Sequence, residues 1–517
     1  LILIFLVCNN NGLLYPGSKT LAGSLELEIR ACNMHTIFLF FIKLASNQRI
    51  NDLTIQTKII LYYVQNLNNL VVNTYFLIVH VNLMNNKKVY IGLSADTIHH
   101  GHINLIEHAR KYGKIIVGLL TDRALTNHKR LPLLNYEQRK KIVSNLIGVY
   151  KVVPQDEWDY SENLKKIKPD FMVHGDDWLS GPQLNLRKNA VKALKKIKAK
   201  LIEIPYTKGV SSTALAMKQK EKFTTSEIRL KSLKRLLYSK SLLRFIETHS
   251  PISAIIAENA STKVKQGHKN FDGFWSSSLT DATSMGKPDI EALDISERLS
   301  NINNIFDVTT KPLIMDIDTG GKIEHLKLNI RSIERLGISA VIMEDKTGLK
   351  KNSLHEKTSN QKQETIEHFC EKINLIDSTK TNKEFMIIAR IESLILENGM
   401  SDALKRAKKY VEAGADGIMI HSKKKVPNEI FEFSKKFRKD FKSVPLICVP
   451  STYNSVKEET LIRNHFNIVI YANHLFRAAY PAMQKTASSI LKHGRTKESD
   501  KNLISIKDIL KLIPGTQ

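Results

Sequence analysis

The 517 residues, 42% of them hydrophobic, exceed what one ordinary domain accommodates, so at least two cores are expected. Lys+Arg outnumber Asp+Glu by 78 to 51, a net charge of +27. The basic residues are spread over helical text without an interleaved aromatic patch, so the charge fits anionic substrates better than nucleic acid.

Residues 1–83 differ from the rest of the chain. Apolar bursts at Leu1–Cys8, Ile37–Ile42 and Leu70–Val81 alternate with Asn-rich text and fall short of a membrane span, the longest being interrupted by Asn73, Thr74 and His80. No basic n-region precedes Leu1 as a signal peptide requires. The expectation is a non-native or poorly ordered leader with Met84 as the natural start, the rival being a membrane-associated extension. The four cysteines, Cys8, Cys32, Cys370 and Cys448, show no metal-ligand spacing or disulfide framework, which suggests a reducing, cytoplasmic setting.

A first domain is expected over residues 84–221. The run Lys88–Leu93 reads as a strand leading into Ser94-Ala-Asp-Thr-Ile-His99-His-Gly101-His102, after which Ile103–Tyr112 has helical spacing. Imidazoles on the first turn of a helix meet anions where free N–H groups and the dipole already favour negative charge. Gly101 permits close backbone approach. Further strands at Ile115–Leu120, Phe171–His174 and Ile202–Ile204 alternate with helices, predicting a doubly wound parallel sheet with its ligand at the strand C-termini. The array from Met84 to Lys220 resembles the cytidylyltransferases of the nucleotidyltransferase superfamily. By that resemblance His99 and His102 stabilise the transition state at the α-phosphate of CTP. Lys129 and Arg139 neutralise phosphate charge, Gly92 and Gly101 border the nucleotide, and Ser211, Ser212 and Thr213 cap a helix against the triphosphate. The family's opening Gly-Thr-Phe-Asp reads Gly92-Leu-Ser-Ala-Asp96 here, and Tyr206 stands where its last motif has Arg.

A second domain is expected over residues 222–517, entered through a basic, Leu-spaced helix around Ile228–Leu237. Eight short apolar runs then recur, at Ile252–Ile256, Phe271–Trp275, Leu313–Asp318, Ala340–Glu344, Met386–Arg390, Gly417–His421, Leu446–Val449 and Ile468–Tyr471. Eight strand–helix units predict a (β/α)8 barrel with its chemistry at the strand C-termini. Seven runs end in reactive side chains, among them Asp316/Asp318, Glu344-Asp345, Arg390/Glu392, His421 and Asn473. Such carboxylates repel unless a divalent cation sits among them, and oxygen ligands suit Mg²⁺.

After the fourth run comes Glu344-Asp-Lys346, five residues, then Asn352-Ser353. This spacing resembles the signature of phosphoenolpyruvate mutase in the isocitrate lyase superfamily, whose lyases carry Cys-Gly-His in this loop. The resemblance covers Arg229 to Gln517. It implies Mg²⁺ held by Asp316, Asp318 and Glu344, and the carboxylate and enolate end of the substrate bound by Trp275 and Ser277. By the same resemblance Arg390, Asn352 and His421 grip the migrating phosphoryl group, and Asp289 lies near the reacting centre. Lys346, Ser353 and Glu392 join the substrate-binding set.

The implied reaction interconverts phosphoenolpyruvate and phosphonopyruvate, with a fused CTP-dependent site activating a phosphonate or other small phospho-acceptor as its CMP derivative. A homo-oligomer is expected, with neither nucleic-acid binding nor stable membrane insertion. The nearest alternative is a phosphonopyruvate hydrolase or C–C lyase on the same barrel, against which the Asn352 loop argues; a basic RNA-binding protein is the distant one.

Overall fold

The computed structural model describes residues 87–179, 183–205, 224–264, 267–348, 350, 353 and 361–512. The expected leader, the capping segment Ser211–Thr213 and Asn352 lie outside the described residues.

The amino-terminal region contains strands β1 (Lys88–Leu93), β2 (Lys114–Leu120), β3 (Val149–Gln155), β4 (Phe171–Gly175) and β5 (Lys200–Ile204). They form one parallel sheet in the order β3-β2-β1-β4-β5. Helix α1 (His100–Ala109) follows β1, the short α2 (Asp122–Thr126) follows β2, and α3 (Tyr136–Ser144) precedes β3. Strand β1 is central, and Val89, Tyr90 and Ile91 are fully buried. The strand that the sequence pattern does not announce is β3. Lys151 and Pro154 interrupt its apolar run, as an edge strand tolerates and a central one does not.

Helix α4 (Ser226–Ser239) leads into the barrel, as its Leu spacing predicts, burying Leu230, Leu233 and Leu236. The barrel strands are β6 (Leu243–Glu247), β9 (Gly273–Ser276), β10 (Leu313–Asp316), β11 (Ala340–Glu344), β14 (Met386–Ile391), β15 (Gly417–Ile420), β16 (Leu446–Cys448) and β17 (Ile468–Tyr471). They close in the order β10-β11-β14-β15-β16-β17-β6-β9, with every neighbour parallel. A small antiparallel hairpin, β7 (Ser261–Val264) with β8 (Gly267–Asn270), precedes β9, and the two-residue strands β12 (Lys346–Thr347) and β13 (Lys362–Gln363) pair with each other on either side of the Asn352 and Ser353 segment, which reads from its sequence as a lid.

One expectation is corrected. The first barrel strand is Leu243–Glu247, and Ile252–Ile256 belongs to helix α5 (Pro251–Asn259). Ser250 caps that helix by accepting from the Ser253 N–H, and Pro251 stands at its first turn, where a missing N–H costs nothing. These start signals outweigh an apolar run whose Ile252 and Ile256 remain exposed.

Period-two alternation sorts the barrel residues. Phe245, Trp275, Ile314, Ile342, Ile388, Met419, Ile447 and Ile470, one from each strand, cluster in the lumen, while Ile246, Phe274, Met315, Val341, Ile387 and Ile418 pack outward on the helices. Two positions beyond the lumen residues come Glu247, Asp316, Glu344, Arg390 and His421, so the site is the top layer of the same inward face.

The sheet and the barrel are joined at one junction. Arg235 of α4 donates to the carbonyls of Leu133 (3.1 Å) and Pro132 (2.9 Å) and to Asp122 Oδ2 (3.1 Å). Leu131 packs against the lumen cluster from below. At its other end α4 is fixed by Arg229, which stacks on Phe306 and donates to the carbonyls of Thr309 and Lys311. The C-terminal edge of the sheet therefore meets the N-terminal face of the barrel.

Candidate active sites

In the sheet region, His99 caps α1. Its Nδ1 accepts from Gly101 N–H (3.1 Å), and His102 Nδ1 accepts from His99 N–H (3.3 Å), a reciprocal capping box. Since each Nδ1 accepts, both rings carry their proton on Nε2 and present it as a donor. The rings stand 4.0 Å apart. Burial, then His99 and Lys129, push the His102 pKa down to about 4, and burial lowers that of His99, so both are neutral near pH 7. Lys129 is exposed, its ammonium 5.4 Å from the Trp158 ring centroid.

Two expected nucleotide residues do other work. Arg139 is fully buried and spends its guanidinium on Asp122 Oδ1 (2.7 Å) and the carbonyls of Ser94 and Leu134, fixing the loop rather than facing a phosphate. At Gly92 a Cβ would stand 2.3 Å from the Tyr160 ring, so that glycine serves packing. Arg139 on an α3 face shared with buried Val143 was the sequence sign of a structural role.

In the barrel, two cations and two carboxylates interlock at the ends of β11 and β14. Arg390 donates to Glu392 Oε1 (2.6 Å), Ser353 Oγ (2.7 Å) and His421 Nδ1 (3.2 Å), and pairs with Glu344 Oε2 (3.2 Å). Lys346 reaches Ser353 Oγ (2.8 Å), Glu344 Oε1 (3.2 Å) and Glu392 Oε2 (3.4 Å). Ser353 donates its own proton to Glu392 Oε2 at 2.6 Å, so the lid's far end is seated on the strand ends. Burial disfavours charge on Glu392, but Arg390 and Lys346 prevail and hold it well below the carboxylate range. Burial dominates at Glu344, whose pKa is pushed up to about 7 despite Arg390 and Lys346. Burial also lowers the pKa of His421, keeping it neutral.

A second cluster surrounds Lys350. Its ammonium donates to Ser278 Oγ (2.6 Å), Asp289 Oδ1 (2.7 Å) and Asp318 Oδ1. Ser278 in turn donates to Asp316 Oδ2 (3.1 Å), and the Asp318 N–H binds Asp316 Oδ1 (3.0 Å). Burial opposes the charge of Asp316, but Lys350, Arg390 and Arg298 outweigh it and hold its pKa low; burial and then Asp316 raise that of Asp318. Behind them Arg298, fully enclosed, grips Asp281 (3.0 Å) and stands 3.7 Å from Asp318.

Among the described residues no three carboxylate or imidazole groups stand together as a ready metal site. Lys350 supplies the cation instead. The donor chemistry nonetheless fits a hard divalent ion, because Asp316 and Glu344 line one mouth with Asp318 beside them, and neither Glu344 oxygen has a hydrogen-bond partner beyond its ion pairs. Trp275 Nε1 and Asn473 Oδ1 are likewise buried without partners, and their residues line the same cavity, which measures only about 80 Å³ and also touches Ser277. That is room for roughly two or three waters at ~30 Å³ each. A larger ligand requires lining side chains to move, Lys350 among them. Orphaned donors and acceptors around a small cavity mark where ligand atoms belong.

Sequence reasoning missed Ser278 in the site and Arg298 behind it, and read Asn473 only as a strand-end side chain. Arg298 was signalled by its place at i, i+4, i+7 with Ile302 and Ile305 on a buried helix face. Nothing in the local pattern distinguished Ser278 from its serine neighbours.

A family model described as phosphoenolpyruvate phosphomutase matches residues 233–491, half of the chain. The chain belongs to the phosphoenolpyruvate phosphomutase family. A second model, described as cytidylyltransferase-like, matches residues 90–231. Similar family proteins include the phosphonopyruvate hydrolase of Variovorax sp., 35% identical over 54% of this chain and 93% of that protein. The phosphoenolpyruvate phosphomutase of Tetrahymena pyriformis is 32% identical over 56% of this chain and 93% of the relative. The crystal structure of the phosphoenolpyruvate phosphomutase of Streptomyces platensis subsp. rosaceus covers 54% of this chain and 93% of its own, with 32% identity and a TM-score of 0.50. The chain is thus an enzyme of the phosphomutase and isocitrate lyase superfamily carrying a cytidylyltransferase-like domain. No described helix is long and apolar enough to cross a membrane.

Proposed function

We propose that the barrel interconverts phosphoenolpyruvate and phosphonopyruvate, and that the amino-terminal sheet transfers a cytidylyl group from CTP to a small phosphonate or related phospho-acceptor. The observation that carries the barrel reading is the seating of Ser353 between Arg390, Lys346 and Glu392, which brings two cations to one place. A loose phosphoryl-transfer transition state asks for little else. Arg390 and Lys346 neutralise the migrating oxyanions, and the free Trp275 N–H donates to the carboxylate or enolate end. Neutral His421, its Nδ1 occupied by Arg390, offers Nε2–H to a phosphoryl oxygen. Asn352 belongs to the lid by sequence and donates an amide without offering a base to water. Asp316, Asp318 and Glu344 would hold Mg²⁺, which when bound screens the enolate and phosphoryl charge.

The hydrolase reading keeps equal standing on similarity, because the Variovorax hydrolase shares 35% identity with this chain. The two differ only in whether water reaches the phosphoryl group. Phosphorus NMR of the protein with phosphonopyruvate and Mg²⁺ decides: phosphoenolpyruvate as product supports the mutase, whereas pyruvate with free phosphate establishes the hydrolase.

We also infer a homo-oligomer and a cytoplasmic setting. The long helix His474–His493 has no buried residue and leaves Tyr480, Met483 and Leu491 exposed, an apolar face that a second copy would cover.

A further inference from the structure

The barrel mouth is not the only cavity among the described residues, and another is larger. It lies at the junction, about 1040 Å³, between the C-terminal edge of the sheet and the underside of the barrel. From the sheet side it is lined by Asp96, Lys129 and Arg130; from the barrel side by Lys240, Lys269 and Asn270. Ser94, Asp96 and Thr97, which also line it, belong to the loop that runs into His99, so the cavity adjoins the segment that carries the histidine pair. The loop carrying Lys129 and Arg130 is held to the barrel by Arg235 and Leu131, which makes the second wall a fixed part of the site. On that wall Asn270 Oδ1, at the end of the β7–β8 hairpin, is buried and has no hydrogen-bond partner. Lys269 beside it is 40% exposed and pairs with Glu458 at 3.1 Å.

Resting on the cytidylyl-transfer reading, we propose that the underside of the barrel forms the acceptor subsite of the amino-terminal enzyme. Its ligand is a small molecule with a phosphonate or phosphate group at one end and a hydroxyl or amine at the other. The anionic end lies toward Lys129 and Arg130, next to the histidines. The donor end meets Asn270 Oδ1, whose acceptor capacity is otherwise unmet. In the step, an ionised oxygen of the acceptor attacks the α-phosphorus of CTP. A P–O bond forms, the bond from the α-phosphorus to its bridging oxygen breaks, and pyrophosphate departs with the electron pair. The nucleophile is already ionised, so no base is consumed. A site that hydrogen-bonds a substrate hydroxyl rejects the analogue lacking it more strongly than an apolar pocket rejects an added methylene.

The test compares 2-hydroxyethylphosphonate and 2-aminoethylphosphonate with ethylphosphonate, reading pyrophosphate release with CTP in the full chain. Wild type should prefer the better of the donor-bearing pair over ethylphosphonate by at least about tenfold in kcat/KM. Asn270→Leu should erase that preference; thermal melting checks that the variant folds. CTP affinity, measured by calorimetry, separates the two readings. Absent CTP binding overturns cytidylyl transfer itself. Normal CTP binding and transfer with no discrimination between the phosphonates, or with discrimination unaltered in folded Asn270→Leu, overturns the subsite.

Discussion

Lys350→Met tests whether an ammonium stands in for a divalent cation at the barrel mouth. Lys350 is 6% exposed and contacts Asp318, Asp289 and Ser278, with Asp316 and Glu344 close enough to raise its pKa further. Removing one partner of a buried ion pair leaves the other charge uncompensated and costs about 3–5 kcal/mol. At roughly 2 °C per kcal/mol for a domain of this size, the metal-free variant should melt about 6–10 °C below wild type. Mg²⁺ should then restore more in the variant than in wild type, because no ammonium has to be expelled; saturation about a hundredfold above Kd supplies about 2.7 kcal/mol. Differential scanning calorimetry with chelator and with a Mg²⁺ series reads both quantities. An unchanged melting temperature without metal, or equal Mg²⁺ shifts in the two proteins, would refute the reasoning.

The metal-free protein should lose stability as pH rises from about 5 through 7, since Glu344 and Asp345 have folded pKa values of about 7, raised first by burial, and stabilise only while protonated; melting curves across that window check it, and Mg²⁺ should remove the Glu344 part. Arg390→Met should slow turnover at the barrel by about 10²–10³-fold, because the phosphoryl oxyanions of the proposed reaction lose a donor, and should lower the melting temperature, because Glu344, Glu392 and Ser353 lose a partner; kinetics and calorimetry check both. His102→Ala should slow CTP-dependent pyrophosphate release by about 2–4 kcal/mol of transition-state stabilisation; unchanged turnover would remove it from the site, and in the unliganded wild type its ring should titrate near pH 4 by NMR, where burial places it. Leu491→Lys should lower the sedimentation mass if the exposed helix face is an oligomer contact.

Both architectures were legible because both depend on coarse periodicity and on chemistry placed at strand ends. Glu344, Arg390 and His421 could be assigned to the barrel mouth because period two carries them on the face of Ile342, Ile388 and Met419. The first barrel strand was not legible, since Leu243–Glu247 continues the Leu-rich text of the preceding helix without a break and its Arg244 interrupts the apolar pattern. Arg139 shows a different limit. The resemblance implies a phosphate ligand there, but the guanidinium is held by Asp122, 17 positions earlier. Lys350 falls among the five residues between Lys346 and Asn352, but which carboxylates it meets depends on how β10 and the Asp289 segment approach each other, and that is tertiary.

The filled lumen of the barrel has a bearing on traffic between the two sites. Phe245, Ile314, Ile342, Ile388, Ile447 and Ile470 are all fully buried and close it from strand to strand, so nothing passes through its axis. One catalytic mouth opens at the top and the sheet is docked at the bottom. A compound that, on the proposed reading, is made at one site and used at the other cannot take the barrel axis. Covalent fusion then sets equal numbers of the two sites and a raised local concentration. On that reading a compound released to solvent is open to other enzymes as well, which leaves room for intermediate chemistry between the two proposed reactions.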